Sequence, residues 1–98
     1  MGAGGPVVRL PLQYTRRFLR DTKKLDKGAL DALKKALEGL LQDPKPAALH
    51  FHKMQGYENL YCMHVTSSSS HKVSMSIEGS TATLRRYASH REIDDDPL

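Results

Sequence analysis

The spacing of apolar positions changes period twice along the 98 residues. In "VVRLPLQY", residues 7–14, Val8, Leu10, Leu12 and Tyr14 alternate with Val7, Arg9, Pro11 and Gln13. Period two predicts a strand. Pro11 has no N–H to donate to a ladder, so this strand belongs at a sheet edge or turns its proline away from the partner strand. From Thr15 the period lengthens. Thr15 is placed to N-cap "RRFLRDTKKL", with Tyr14, Phe18, Leu19 and Leu25 as a narrow apolar stripe. Asp26 caps a second helix, "KGALDALKKALEGLLQ", in which Leu30, Leu33, Leu37, Leu40 and Leu41 follow a buried-face rhythm. "DPKP" ends it, because the residue before a proline is pushed out of the α region. Two helices joined this closely form an αα-hairpin.

Beyond "DPKP" the period returns to two. Residues 49–54 alternate weakly and Gly56 interrupts them. "ENLYCMHVT", "HKVSMSIE" and "TATLRRYASH" then read as three strands of a meander, joined at "SSSS" and "GS". Val73, Met75 and Ile77 share one face of their strand; Lys72, Ser74 and Ser76 share the other. The order β-α-α-β-β-β predicts an α+β domain, a small twisted and mostly antiparallel sheet with the αα-hairpin packed on one face. Residues 1–6 read as a disordered lead-in, 7–94 as one domain and 95–98 as an acidic tail.

Composition narrows the function. The chain has no Trp, two Phe and four Tyr, so aliphatic side chains carry the core. A single cysteine, Cys62, excludes a disulfide scaffold and points to a reducing compartment. "PVVRLPL" is too short and too broken by Arg and Pro for a signal peptide or a membrane span, so the expected location is the cytoplasm. The net charge of +4 understates the folded body. Four of the eleven acids, Glu92, Asp94, Asp95 and Asp96, lie in the last seven residues, which leaves 15 bases against 7 acids over residues 1–91. A body of +8 favours a polyanion or an acidic protein as partner. Arg16, Arg20, Lys23 and Lys27 recur at helical spacing on the first helix and form part of that surface.

Three of the five histidines fall in "HFHKMQGYENLYCMHV", and His90 follows in "RRYASHREI". Taken singly, each reads as an edge or core histidine, and His50 most of all as an exposed edge residue. Neighbouring strands can gather His52, His64 and His90 with Arg86 on one sheet face. Their spacing lacks the paired pattern of zinc motifs, so a metal site ranks below acid–base use.

The element order, the basic first helix, the "DP" after the second helix and the "SH" before an acidic end resemble the RelE/ParE superfamily of bacterial toxins. The closest resemblance within it is to the YafQ-like ribosome-dependent mRNA interferases. "HKMQG" resembles the family's histidine four residues before a glycine, "YCMH" its Y-x-x-H, and "RYASH" its R-x-x-x-H. The family also carries an aspartate four residues after the strand histidine, where this chain has Ser68.

The resemblance implies the toxin of a type II toxin–antitoxin system, held by an antitoxin, acting on mRNA at the ribosome and meeting DNA only through the antitoxin complex. It implies metal-independent endoribonuclease activity with no cofactor. His64 and His90 would form the proton-transfer pair, Arg86 the phosphate clamp, and His52 a supporting acid–base or orienting group. Histidine titrates near neutral pH, and the arginine fork matches phosphate. Lys53, Lys72, Arg85 and Arg91, with Arg16, Arg20 and Lys23 of the first helix, are the expected RNA contacts, and Tyr87 a stacking platform. The alternatives are a ParE-like gyrase inhibitor, which needs basic surface but no histidines, and a RelE-fold binding protein without nuclease activity. The catalytic reading has one geometric requirement: His64 must lie on the face of Lys72 and Ser74, away from Met75 and Ile77.

Overall fold

The computed structural model describes residues 12–23, 25–42, 47–65 and 71–98. The expected elements are present, with a short 3-10 turn and two further additions. In chain order they are β1 (Leu12–Tyr14), α1 (Arg16–Thr22), α2 (Lys27–Leu40), a 3-10 turn at Ala47–Leu49, β2 (His52–Lys53), β3 (Leu60–His64), β4 (His71–Glu78), β5 (Thr81–Ser89) and α3 (His90–Asp95). The sheet order is β1-β5-β4-β3-β2. β1 runs parallel to β5 at one edge and the other pairs are antiparallel.

Both helix starts are capped as their sequences predict. The Thr15 hydroxyl accepts from the Phe18 N–H, and the Asp26 carboxylate from the Ala29 N–H. Such caps are worth about 1 kcal/mol each. The β4–β5 hairpin turns on Gly79-Ser80, with Gly79 at φ +58°. A positive φ at the first central residue suits the twist of a two-residue hairpin and favours glycine there. Residues 1–11, with Pro11, and the serine loop, with Ser68, lie outside the described residues.

The helical stripes differ from those the leucine spacing predicts. α2 buries Ala32, Leu33, Ala36, Gly39 and Leu40, while Leu30 is exposed and Leu41 only half-buried. On α1 only Phe18 is buried; Leu19 stands exposed. The buried face of α2 thus includes Ala32 and Ala36 beside Leu33 and Leu40. These residues pack on Met63, Val65, Val73, Met75, Leu84 and Tyr87 to form the main core.

The two additions are at β2 and at the C-terminus. "SHREI" leaves the sheet after Ser89, whose hydroxyl accepts from the Glu92 N–H and so starts α3. Nor is the acidic end a solvated tail. Ile93 and Pro97 are buried, and the Ser74 hydroxyl donates to the Pro97 carbonyl. A second, smaller core of Cys62, Ala88 and Ile93, with Met54, therefore lies on the face away from the helix hairpin.

The register places three rows across this second face. His64 pairs with Lys72 and Lys72 with Ala88; Cys62 with Ser74 and Ser74 with Arg86; Leu60 with Ser76 and Ser76 with Thr83. β1 extends the last row, because Gln13 pairs with Thr83.

Candidate active site

The register meets the requirement on His64: it lies in the row of Lys72, on the face opposite the hairpin. Its ring is 4.6 Å from that of His90, edge to face, and 4.9 Å from that of His50. Three strand-end and turn segments thus deliver three imidazoles to one place. Partial burial pushes the His64 pKa below its ordinary value, and the neighbouring His90 and His50 push it further the same way. A neutral imidazole at neutral pH is a proton acceptor.

His50 was not among the expected site residues. The sequence signal for it is the H-x-H spacing with His52, which puts both rings on one side of an extended chain. The structure adds a left-handed backbone at His50, φ +48°. That conformation costs a non-glycine residue about 1 kcal/mol, and such strain recurs at functional sites.

His52 is held by two contacts. Its Nδ1 lies 2.7 Å from the His50 carbonyl oxygen and its Nε2 3.2 Å from Cys62 Sγ. A carbonyl only accepts, so Nδ1 carries the hydrogen and Nε2 accepts from the thiol. Burial pushes the Cys62 pKa up, which keeps it a thiol and keeps this chain of bonds intact. His52 is therefore oriented by the core behind it.

The cations divide into two groups. Lys53, Arg91, Arg16, Arg20 and Lys23 are exposed. Lys72 and Arg86 are buried and engaged. Lys72 Nζ donates to Asp94 at 3.1 Å. Arg86 donates from Nε and Nη2 to the two oxygens of Asp21, at 3.1 and 3.3 Å, and from Nη1 to the Asp96 carbonyl. Its fork faces an internal carboxylate, so a phosphate cannot use it as the structure stands. Tyr87 departs from its expected role for a different reason. It is 7% exposed in the main core, with His71 stacked on its ring at 5.1 Å, and has no face open to a base. Arg85 is half-buried near the far end of the same face. Among the described residues, no group of three or more His, Cys, Asp or Glu side chains is arranged to hold a metal ion. None of the described helices is long and apolar enough to cross a membrane.

No protein-family model and no curated protein matches the chain in sequence. Solved structures do match it in shape. The YafQ toxin of E. coli strain BL21(DE3) superposes with a TM-score of 0.71 at 18% identity, over 87% of this chain and 98% of that one. The toxin–antitoxin complex RelBE of E. coli provides a chain matching at 0.66 and 20% identity, over 83% and 96%. The RelB–RelE complex of Methanococcus jannaschii provides another at 0.62 and 21%, over 85% and 95%. The chain has the RelE-like fold. Within that RelE-like frame, the His50–His64–His90 group occupies the sheet face that the helix hairpin leaves uncovered.

Proposed function

We propose that this chain is the toxin of a toxin–antitoxin pair and cuts mRNA on the ribosome, in the cytoplasm. The observation that carries the reading is the placement of His64, its pKa lowered, between His50 and His90 on the open sheet face. Neutral His64 takes the proton of a ribose 2′-hydroxyl. The 2′-oxygen bonds to the adjacent phosphorus, the bond from phosphorus to the 5′-oxygen breaks, and His90 supplies a proton to that oxygen. The products are a 2′,3′-cyclic phosphate and a 5′-hydroxyl. His52 orients the pocket, and exposed Lys53 and Arg91 draw in the backbone. The proton transfers and the displacement as written use no metal ion.

The antitoxin surface is suited to both charge and apolar contact. Arg16, Arg20 and Lys23 are exposed on α1, and Tyr14, Leu19 and Leu30 are 52%, 55% and 38% exposed. A complex made on such a surface keeps much of its affinity in high salt, because the apolar part is unscreened.

A second reading, a RelE-fold binder without nuclease activity, draws on the engagement of Lys72 and Arg86 by acids. Purified protein in a translation reaction, with cleavage mapped by primer extension, separates the readings. Codon-phased cuts that vanish in His64→Gln and His90→Gln support the nuclease. Trapped gyrase–DNA complexes identify a gyrase inhibitor, and neither result leaves the binder.

A further inference from the structure

The β4–β5 ladder is irregular at one point. Ser74 pairs with Arg86 and Met75 with Leu84, which leaves Arg85 as an extra residue between them. A bulge of this kind re-aims a side chain and is common beside functional sites. Here it brings Arg86 onto the second face beside Arg85, which shares that face with Thr83 and whose Nη1 makes a long 3.3 Å contact to the Ser76 hydroxyl. Arg85 Nε is buried and has no acceptor among the described residues. A buried charged donor left unmade is costly, and natural structures rarely keep one without use.

The side chain lines an open cleft of about 370 Å³ with Gln13, Ser76, Glu78, Thr81 and Thr83. Arg85 and Glu78 form no ion pair with each other, although both border it. The lining therefore holds a guanidinium and a carboxylate together with hydroxyls and an amide. Among nucleobases this pattern fits guanine best. Arginine donates to its O6 and N7, and a carboxylate accepts from its N–H edge. Adenine presents a donor where the fork needs an acceptor.

We propose that this cleft is a guanine-binding subsite, in which Arg85 and Glu78 read an unstacked base. The choice of a nucleobase rests on the RNA-cutting reading given above. The placement agrees with it: Ser76 is four residues from Lys72, the partner of His64, or roughly 13 Å along the strand. That is about four stacked nucleotides at ~3.4 Å each, and fewer where the strand is splayed. Single-stranded RNA is read in this way, by bases turned out and hydrogen-bonded on their edges.

The test uses the 15N-labelled full chain and four probes, 5′-GMP, 5′-AMP, 5′-IMP and inorganic phosphate, followed by amide shifts. GMP moves Gln13, Ser76 and Thr83 with at least about ten-fold tighter binding than AMP. IMP, which lacks the exocyclic amine, falls between them. Arg85→Ala and Arg85→Lys both lose the response, because a lysine cannot form the fork. Glu78→Gln reduces the preference for GMP over IMP while leaving binding measurable, and it keeps the test open if the Arg85 variants misfold. Equal shifts from GMP and AMP, a response to phosphate that matches GMP, or shifts confined to the histidines would each overturn the subsite. Guanine-selective binding in a protein that cuts no RNA would uphold the cleft and remove the nuclease reading; a working nuclease with no selective binding would do the reverse.

Discussion

Removing the Asp21 carboxylate tests whether Arg86 belongs to the fold. Asp21 sits on α1 and Arg86 on β5, 65 residues apart in sequence. The carboxylate accepts from Arg86 Nε, from Arg86 Nη2 and from the backbone N–H of Tyr87 at 3.0 Å. The two side chains are 9% and 15% exposed, so solvent screens the pair little. Asp21→Ala leaves a buried guanidinium facing the Asp96 carbonyl alone and orphans the Tyr87 N–H. Breaking one partner of a buried pair costs about 3–5 kcal/mol, against a total stability of about 5–15 kcal/mol. For a domain of this size, a loss of about 3 kcal/mol lowers the melting temperature by at least about 12 °C. Urea unfolding of Asp21→Ala, Arg86→Met and the double variant completes a thermodynamic cycle. The double variant should recover part of the loss, since no buried guanidinium is left without its carboxylate, while the Tyr87 N–H stays without its acceptor. A loss under about 1 kcal/mol in Asp21→Ala, the range of an exposed pair, would refute the reasoning. So would a double variant no more stable than the worse single. The same double variant bears on function: if it is folded and still cuts RNA, the phosphate clamp is another residue.

Two further outcomes follow from the site. The folded His64 pKa is lowered, so the folded chain binds fewer protons than the unfolded chain between that value and 6.5. Stability then rises with pH through that window and is lost as pH falls through it; in His64→Gln, melting temperatures measured from about pH 7.5 down to about pH 5 should fall less steeply than in the parent, and parallel curves would show that His64 is not the source. Asp94 holds Lys72 and Asp96 holds Arg17; on the RNA-cutting reading proposed above these acids compete with RNA for the two cations, so Asp94→Asn with Asp96→Asn should tighten binding of a non-cleavable RNA and steepen its salt slope by about 0.7 for each further phosphate that the freed cations neutralise, whereas unchanged affinity and slope would mean the segment only packs.

Much of the architecture was legible because its signals are local. Thr15 and Asp26 cap helices through atoms three residues away, and Gly79 turns a hairpin within two residues. The His64 face was not legible: period two leaves it to the loop length, where a two- or four-residue turn puts His64 in the core and an odd one beside Lys72, and the structure has the second arrangement. What escaped depends on partners far apart in the chain. Nothing near Asp21 marks it as the acceptor of Arg86, and "IDDDPL" reads as solvated acid until Lys72 and Ser74 are seen beneath it. His50 escaped because its ring reaches His64 through a left-handed turn that no residue preference for histidine requires.

The bulge at Arg85 explains the remaining errors together. Strict alternation puts Leu84 and Arg86 on one face, and Arg85 and Tyr87 on the other. In the structure Leu84 and Tyr87 both enter the main core, while Arg86 joins the row of Ser74 and Cys62. One inserted residue is enough, because a slip of one position exchanges the faces for everything beyond it. Without the bulge Tyr87 would stand on the open face, where a stacking platform was expected, and Arg86 would point under the helix hairpin. The inserted residue itself keeps a side chain on the open face with a buried N–H to satisfy. The irregularity that misleads a reading by period is thus the same one that brings Arg86 to the second face beside Arg85, and it ties the depth of Tyr87 and the pairing of Arg86 to a single residue.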